Sequence, residues 1–250
     1  MKPKAWIDFK DTPNYRRDSF LAGLKRCGYD VQFGTPNHYP QIGDVLLIWN
    51  RTGTGEAAAQ RFEAAGCKVL CCENGYLGKE FIGRRWYAIS YNYHNGAGTW
   101  PAGDKWRWNN WNVELHPFKH SGGELVILPQ RSIGCSGVAM PRGWEYEASK
   151  RVKGRIRPHP GIHPAISLED DLKNAYAVYT WGSGAALKAL LLGVPVYFDM
   201  PNWIGALAGA NLGNNPNRDD NKRLEMFQRL AWAMWALEEI EDGSAFQVLL

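Results

Sequence analysis

The sequence has no apolar run long enough for a membrane-spanning helix. Its longest, Ala185 to Val196, is interrupted by Lys188, Gly193 and Pro195, short of the ~20 residues that a span requires. The first residues, Met1-Lys2-Pro3-Lys4 with Asp8, Lys10 and Asp11 close behind, lack the apolar segment of a signal peptide. A cytoplasmic protein is therefore expected. Homopolymer and Pro/Ser tracts are missing too, and 45% hydrophobic residues against 22% charged exclude a disordered, collagenous or low-complexity chain. Cysteine is scarce: the five, at 27, 67, 71, 72 and 135, form no CxxC pair and have no histidine at zinc spacing. Reduced, mostly buried thiols and no metal site are expected. Neither sign of charge dominates; a formal net charge of +4 allows an anionic substrate but is too mild to mark nucleic-acid binding.

What is present is length and tryptophan. At ~150 residues per domain, 250 residues accommodate one large α/β unit or two smaller lobes. Twelve tryptophans supply either core or stacking surfaces for sugars and bases.

Strand and helix patterns alternate along the chain. Ala5 to Phe9 reads as a strand, Asp11-Thr12-Pro13 as the start of a helix running to Cys27, and Gly28 as its stop. Tyr29 to Phe33, Asp44 to Trp49 and Cys67 to Cys72 are further strands, with a helix from Gly55 to Ala65 between the last two. The continuous apolar run Val45-Leu46-Leu47-Ile48-Trp49 suits a strand covered on both faces. Residues 83 to 123, rich in Trp, Tyr, Asn and Gly, read as irregular surface structure. The alternation resumes at Glu124 to Leu128, with a helix from Trp144 to Lys153, a strand near Gly154 to Arg157, and a capping box at Ser167 to Asp170. Ala175 to Thr180, Gly184 to Leu192 and Pro195 to Phe198 form a βαβ unit. Asn221 to Glu241 carries Leu224, Phe227, Leu230, Met234 and Leu237 at helical spacing and predicts one long amphipathic helix. An α/β fold with open parallel sheets follows.

Several segments could carry chemistry. Thr180-Trp181-Gly182-Ser183-Gly184 lies between a strand and a helix, where free backbone N–H groups and the helix dipole attract anions; it equally suits a turn that only permits close helix–strand packing. It matches neither a dinucleotide fingerprint nor a P-loop. Lys188, one turn on, faces either phosphate or solvent. Arg157-Pro158-His159-Pro160 holds a cation and an imidazole in an extended loop after a strand, as a diphosphate ligand or as a rigid turn. Glu73, at a strand's carboxyl end, suits a general base projecting toward a cleft, or it caps a turn in which Asn74-Gly75 takes positive φ. His94-Asn95-Gly96 poses the same choice. Glu169-Asp170-Asp171 is better explained by capping than by metal binding.

Four segments in order, Glu73-Asn74-Gly75-Tyr76-Leu77, Leu128-Pro129-Gln130, Arg157-Pro158-His159-Pro160, and Ser183 with Lys188 to Val196, resemble the capsule polysaccharide biosynthesis family. These are the bacterial Kdo transferases and their relatives of GT-B glycosyltransferase architecture. The chain is similar also to phage-borne proteins of the same broad type, for which the host cytoplasm would be the location. The resemblance spans roughly residues 45 to 200. It implies two Rossmann-like lobes, an N-terminal acceptor lobe (1–118) and a C-terminal nucleotide-sugar lobe (119–220), with a C-terminal helix (221–250) bracing them. It implies no metal and no cofactor beyond the nucleotide sugar as co-substrate.

On that resemblance Gln130, Arg157, His159, Gly182, Ser183, Gly184 and Lys188 hold the donor, Glu73 or else His94 deprotonates the acceptor hydroxyl, and Asn74, Trp106 and Trp108 contact the acceptor. Two positions depart from the family. Asn74 stands where the triplet has its second acid, and an amide cannot be a nucleophile or base. Lys188 stands where glutamate is typical, which favours phosphate or an acidic sugar over a ribose hydroxyl. The acceptor is a glycan or, given the tryptophans at 100 to 111 and the basic run 142 to 157, a hydroxymethylated DNA base stacked after flipping. A non-catalytic nucleotide-sugar or nucleic-acid binding protein that keeps the fold is the alternative.

Overall fold

The computed structural model describes residues 2–158 and 166–250. The chain divides into two compact units: unit 1 takes Met1–His94, Gly98–Ala102 and Trp232–Leu250, and unit 2 takes Asn95–Ala97 and Gly103–Ala231. In unit 1 the chain runs β1 (Lys4–Asp8), α1 (Arg17–Arg26), β2 (Asp30–Phe33), β3 (Val45–Trp49), α2 (Thr54–Ala64), β4 (Lys68–Asn74), β5 (Glu80–Phe81) and β6 (Arg84–Tyr91). Unit 2 follows with α3 (Trp106–Asn110), β7 (Glu124–Leu128), α4 (Trp144–Val152), β8 (Arg155–Ile156), α5 (Leu168–Asp171), β9 (Ala175–Thr180), α6 (Gly184–Leu191), β10 (Val196–Phe198) and α7 (Asp220–Leu230). The chain then returns to unit 1 as β11 (Met234–Ala236), α8 (Leu237–Glu241) and α9 (Ser244–Leu249). This is a mixed α/β protein with parallel sheets and Rossmann-like strand order. No helix among the described residues is long and apolar enough to cross a membrane.

The sheet of unit 1 has the order β11-β6-β4-β3-β1-β2, with β5 on β6. Strands β1 to β4 run parallel, and β6 pairs antiparallel to β4 and to β11. β3 shows why its five residues are all apolar. Successive side chains point to opposite faces, so Val45 and Leu47 enter the cluster containing Phe20, Leu24, Ile240 and Phe246, while Leu46 and Ile48 meet Ala58, Ala59 and Phe62 of α2. Burying a ring such as Phe62, which is wholly inaccessible, contributes roughly 1.5–3 kcal/mol. Cys71 and Cys72 lie on β4, where burial pushes both thiols well above their ordinary range. In unit 2 the order is β10-β9-β7-β8, all parallel, and Ile127, Trp144, Ala177 and Tyr179 share its core. Arg223 of α7 is 2% exposed; it donates to the His116 and Leu190 carbonyls at 2.8 and 3.0 Å and to Asp220 at 2.7 Å.

Three elements differ from the sequence-based expectation. The first helix begins at Arg17, because residues 12 to 16 form a turn in which Tyr15 and Arg16 donate to the Thr12 carbonyl. The segment expected to be irregular from 83 contains β6, whose residues Trp86 to Ser90 are all buried; its aromatic and β-branched residues favour a strand. The single helix expected over 221–241 ends at Leu230, and Met234–Ala236 becomes the sheet-edge strand β11. The reason is that Ala231 and Ala233 to Ala236 are buried without regard to helical face, and so continuous an apolar run fits a strand as well as a helix.

Candidate functional site

Open α/β sheets bind ligands at the carboxyl ends of their strands, where the strand order reverses. In unit 2 that point lies between β7 and β9, since the chain leaves β7 for β8 on one side and reaches β9 on the other. Leu128-Pro129-Gln130 and Thr180 to Gly184 meet there. Thr180 is inaccessible to solvent; its Oγ1 donates to the Leu128 carbonyl at 2.7 Å and accepts the Ser183 N–H at 2.9 Å, tying the two strands and setting the turn. Ser183 caps α6, its hydroxyl accepting from the Ala185 N–H at 3.3 Å. At Gly182 a Cβ would stand 2.7 Å from Met200 Cε, so any larger residue there would have to displace the Met200 side chain. The carboxamide of Gln130 and the indole of Trp181 both donate to the Val138 carbonyl, at 2.8 and 3.2 Å. Thr180→Val keeps the shape and deletes both hydroxyl bonds, so it is expected to cost about 1–3 kcal/mol, read by urea denaturation.

Lys188 lies four residues beyond Gly184, on the same face of α6. It is half-buried, burial pulls its proton affinity down, and among the described residues its ammonium has no hydrogen bond or ion pair. Arg157, by contrast, is committed: its Nε meets Asp171 at 2.9 Å with both side chains 11% exposed, and its Nη2 donates to the Ile166 carbonyl. His159 lies outside the described residues. Sequence reasoning missed Asp199, at the carboxyl end of β10. Its Oδ2 accepts from Tyr179 at 2.5 Å, Trp144 at 2.8 Å and Arg151 at 3.1 Å. Burial, then that carboxylate, raises the Tyr179 hydroxyl far above its usual range. Ser167 caps α5 as the capping box predicts, accepting the Asp170 N–H at 3.0 Å.

In unit 1 the corresponding switch point lies between β1 and β3 and opens into a cavity of ≈ 410 Å³ lined by Asp8, Phe9, Lys10, Arg17, Trp49, Asn50, Thr52 and Thr54 among others. Burial raises the Asp8 carboxyl above its ordinary value. Asn50 holds φ of 61°, a left-handed conformation that asparagine tolerates better than most residues. These residues were not singled out from sequence. The turn Asn50-Arg51-Thr52-Gly53-Thr54-Gly55 has the same strand-to-helix punctuation as 180–184, and that was the available signal.

The remaining expected residues fall as follows. Glu73 is half-buried near the end of β4, opposite Ala88 of β6, and Asn74 is exposed opposite Tyr87. Neither Asn74 nor Gly75 has positive φ; Gly75 is needed because a Cβ would lie 2.8 Å from both the Gly78 carbonyl and Trp86 Cβ. His94 is 1% exposed and its Nδ1 accepts the Arg51 N–H at 3.0 Å, so it braces the turn after β3. Trp106 is 51% exposed, whereas Trp108 is 3% exposed and stacks on Phe227 with centroids 4.8 Å apart. Trp108 is thus core of unit 2 and offers no platform to a base. The structure therefore gathers Gln130, Gly182, Ser183 and Gly184 at one switch point, with Lys188 one turn along. Asn74 lies in unit 1 while Trp106 and Trp108 lie in unit 2. No group of three or more His, Cys, Asp or Glu side chains that could hold a metal ion is found among the described residues.

The architecture is that of GT-B glycosyltransferases. Among solved structures, the chain is similar to the β-Kdo 2,7 transferase of Thermosulfurimonas dismutans KpsC, with a TM-score of 0.54 and 14% identity over 98% of this chain and 99% of that one. It is likewise similar to the β-Kdo 2,4 transferase of the same KpsC, at 0.55 and 14% over 93% and 91%. No protein-family model matches the chain, and no curated protein matches it by sequence.

Proposed function

We propose that this chain is a glycosyltransferase that moves a sugar from a nucleotide-sugar donor to a hydroxyl acceptor, with unit 2 carrying the donor and unit 1 the acceptor. The observation that carries the reading is the switch point of unit 2, a capped helix N-terminus next to a half-buried lysine without a partner among the described residues, within a fold that a sugar transferase matches over 98% of this chain. The Ser183 and Ala185 N–H groups are taken within the turn, so the Gly184 N–H, the dipole of α6 and the Lys188 ammonium take the donor phosphate and stabilise the charge that develops as the nucleotide leaves. Arg157 is already neutralised by Asp171, so its part is to hold the loop end at Ile166. Asp199 accepts from Tyr179 and Trp144 and donates its N–H to the Thr180 carbonyl, which fixes the end of β10 beside the turn. A carboxylate of unit 1 receives the acceptor's proton, the place that the motif gives to Glu73.

The acceptor on this reading is a glycan, as the resemblance implies; of the tryptophans that could stack a flipped base, Trp108 is spent on the core while Trp106 is exposed. A binding protein without turnover is the other outcome. The test is a thermal-shift panel of UDP, GDP, CMP and TDP nucleotides and their sugars, since a ligand that binds only the native state raises the melting temperature by mass action. A selective shift with one base, followed by nucleotide release in the presence of a glycan acceptor, is expected. A shift without turnover against glycan and hydroxymethylated DNA acceptors leaves the non-catalytic reading, and no shift with any nucleotide sinks the transferase reading.

A further inference from the structure

We propose that the cavity at the β1–β3 switch point of unit 1 is a subsite for a sugar ring, and that Asp8 is the group that takes the proton from the reacting hydroxyl. The role given to Asp8 in transfer rests on the glycosyl-transfer reading above; the binding of a sugar does not.

Four observations converge. The cavity, ≈ 410 Å³, falls within the ~300–1,000 Å³ of small-molecule sites. Its lining pairs an indole, Trp49, and the aliphatic Ile48 with a carboxylate, an amide and two hydroxyls from Asp8, Asn50, Thr52 and Thr54, which is the chemistry of a sugar with one apolar face and a rim of hydroxyls. Asp8 is half-buried at the end of β1, lines the cavity, and has no hydrogen bond or ion pair among the described residues, so its carboxylate is available to a ligand. Two cations also line it, and Arg17 is occupied by Asp11 at 3.2 Å and by the Phe33 ring at 4.2 Å, which leaves Lys10.

The same carboxylate decides between ligand classes. The N-terminus of α2 beside the cavity would suit a phosphate, but Asp8 stands in the way with its own negative charge, and Glu56 already occupies the helix's first turn. A neutral hydroxyl donor satisfies Asp8; a phosphate does not. Burial also raises the Asp8 carboxyl, making it a stronger base than an exposed aspartate. In transfer, the hydroxyl oxygen bonds to the anomeric carbon as its proton passes to Asp8. The bond from that carbon to the donor's phosphate oxygen breaks, and the electron pair leaves with the nucleotide.

Two variants test this in the full chain. Asp8→Asn removes the charge at constant size. Gly55→Leu fills the cavity from α2, where a Cβ makes only ordinary contacts, 3.6 Å to the Asn50 carbonyl and 3.8 Å to Ile48. Saturation-transfer NMR with methyl glycosides of glucose, galactose and mannose is expected to detect binding to the wild type, weakened about tenfold or more in both variants, one hydrogen-bonded group to a charged partner being worth roughly that much. Melting temperatures should hold or rise in Asp8→Asn, because an unpartnered half-buried carboxylate is removed. No saturation transfer to the wild type, or equal transfer to the variants, overturns the subsite. Where a donor turns over, Asp8→Asn should lose about 10²–10⁴-fold in rate while keeping the nucleotide's thermal shift; full activity in Asp8→Asn with loss in Glu73→Gln overturns the proton role. Sugar binding abolished by the variants in a protein that shifts with no nucleotide supports the subsite and sinks the transferase reading alone.

Discussion

Arg51→Met is expected to destabilise unit 1 by about 3–5 kcal/mol, the usual consequence of breaking a buried ion pair from one side. For a chain of this size that lowers the melting temperature by roughly 6–20 °C. The Arg51 side chain is 3% exposed. It is bidentate to Glu56, at 2.8 and 3.1 Å, and to Glu63, at 2.6 and 2.8 Å, and also donates to the Asn92 carbonyl at 2.8 Å. Burial alone would make its guanidinium easier to deprotonate, and the bonds to Glu63 and Glu56 more than reverse that. Methionine fills much of the space but leaves two carboxylates facing each other and a carbonyl without its donor. The turn that frames the switch-point cavity, 50–55, loses its anchor with them.

The pH dependence has a definite sign. The hydrogen bond from Arg51 holds Glu56 below its ordinary 4.5, so this pair contributes stability that is fully present above that value and is lost as pH falls through the lower, folded-state value. The gap between wild type and Arg51→Met should therefore be widest near neutrality and narrow in acid. Urea denaturation at both pH values reads it. Arg16→Met serves as the control: its partner Asp18 is 66% exposed, and such surface pairs contribute only about 0–1 kcal/mol. Equal losses in the two variants would show that the Arg51 cluster is no more than a surface ion pair.

Much of the framework is legible in the residues, and the failures have physical causes. β3 and β9 are apolar runs bounded by turn residues, and Ser167 and Gly28 punctuate as their chemistry demands. β6 hides because Trp86-Tyr87-Ala88-Ile89-Ser90 sits beside a tract whose Asn, Gly and Trp content resembles a loop, and only pairing with β4 on one side and β11 on the other shows it to be internal. β11 hides because an unbroken apolar run carries no period. At the sites, the 180–184 turn stands out through its glycines, while Asp8 looks like any polar residue ending a strand. What distinguishes Asp8 is the cavity around it and the lack of a partner among the described residues, and both are tertiary facts. His94 illustrates the converse. Asn95 and Gly96 do take positive φ, 58° and 72°, so the turn was readable, yet the imidazole before them is consumed as an acceptor for Arg51.

Lys188→Glu is expected to weaken binding of the nucleotide donor by about 10–100-fold, or roughly 1.4–2.7 kcal/mol, with Lys188→Met falling between it and the wild type. A half-buried ammonium is costly without a counter-charge, and α6 keeps one that has none among the described residues, on the face that Gly184 shares at its N-terminus. Burial lowers the folded-state proton affinity of Lys188 below its ordinary 10.5. Stability is thus reduced at neutral pH, where the lysine must stay charged, and recovers as pH rises through the lowered value toward 10.5. Lys188→Met should accordingly melt no lower than the wild type at neutral pH, and that advantage should vanish in alkali. An incoming phosphate supplies the missing charge and opposes deprotonation, so donor affinity should fall as pH climbs through the same window, in the wild type but not in Lys188→Met. Calorimetric titration of the nucleotide selected by thermal shift measures both effects. Wild-type affinity in Lys188→Glu, with an unaltered pH profile, would remove the phosphate from α6 and with it the donor role of the 180–184 turn.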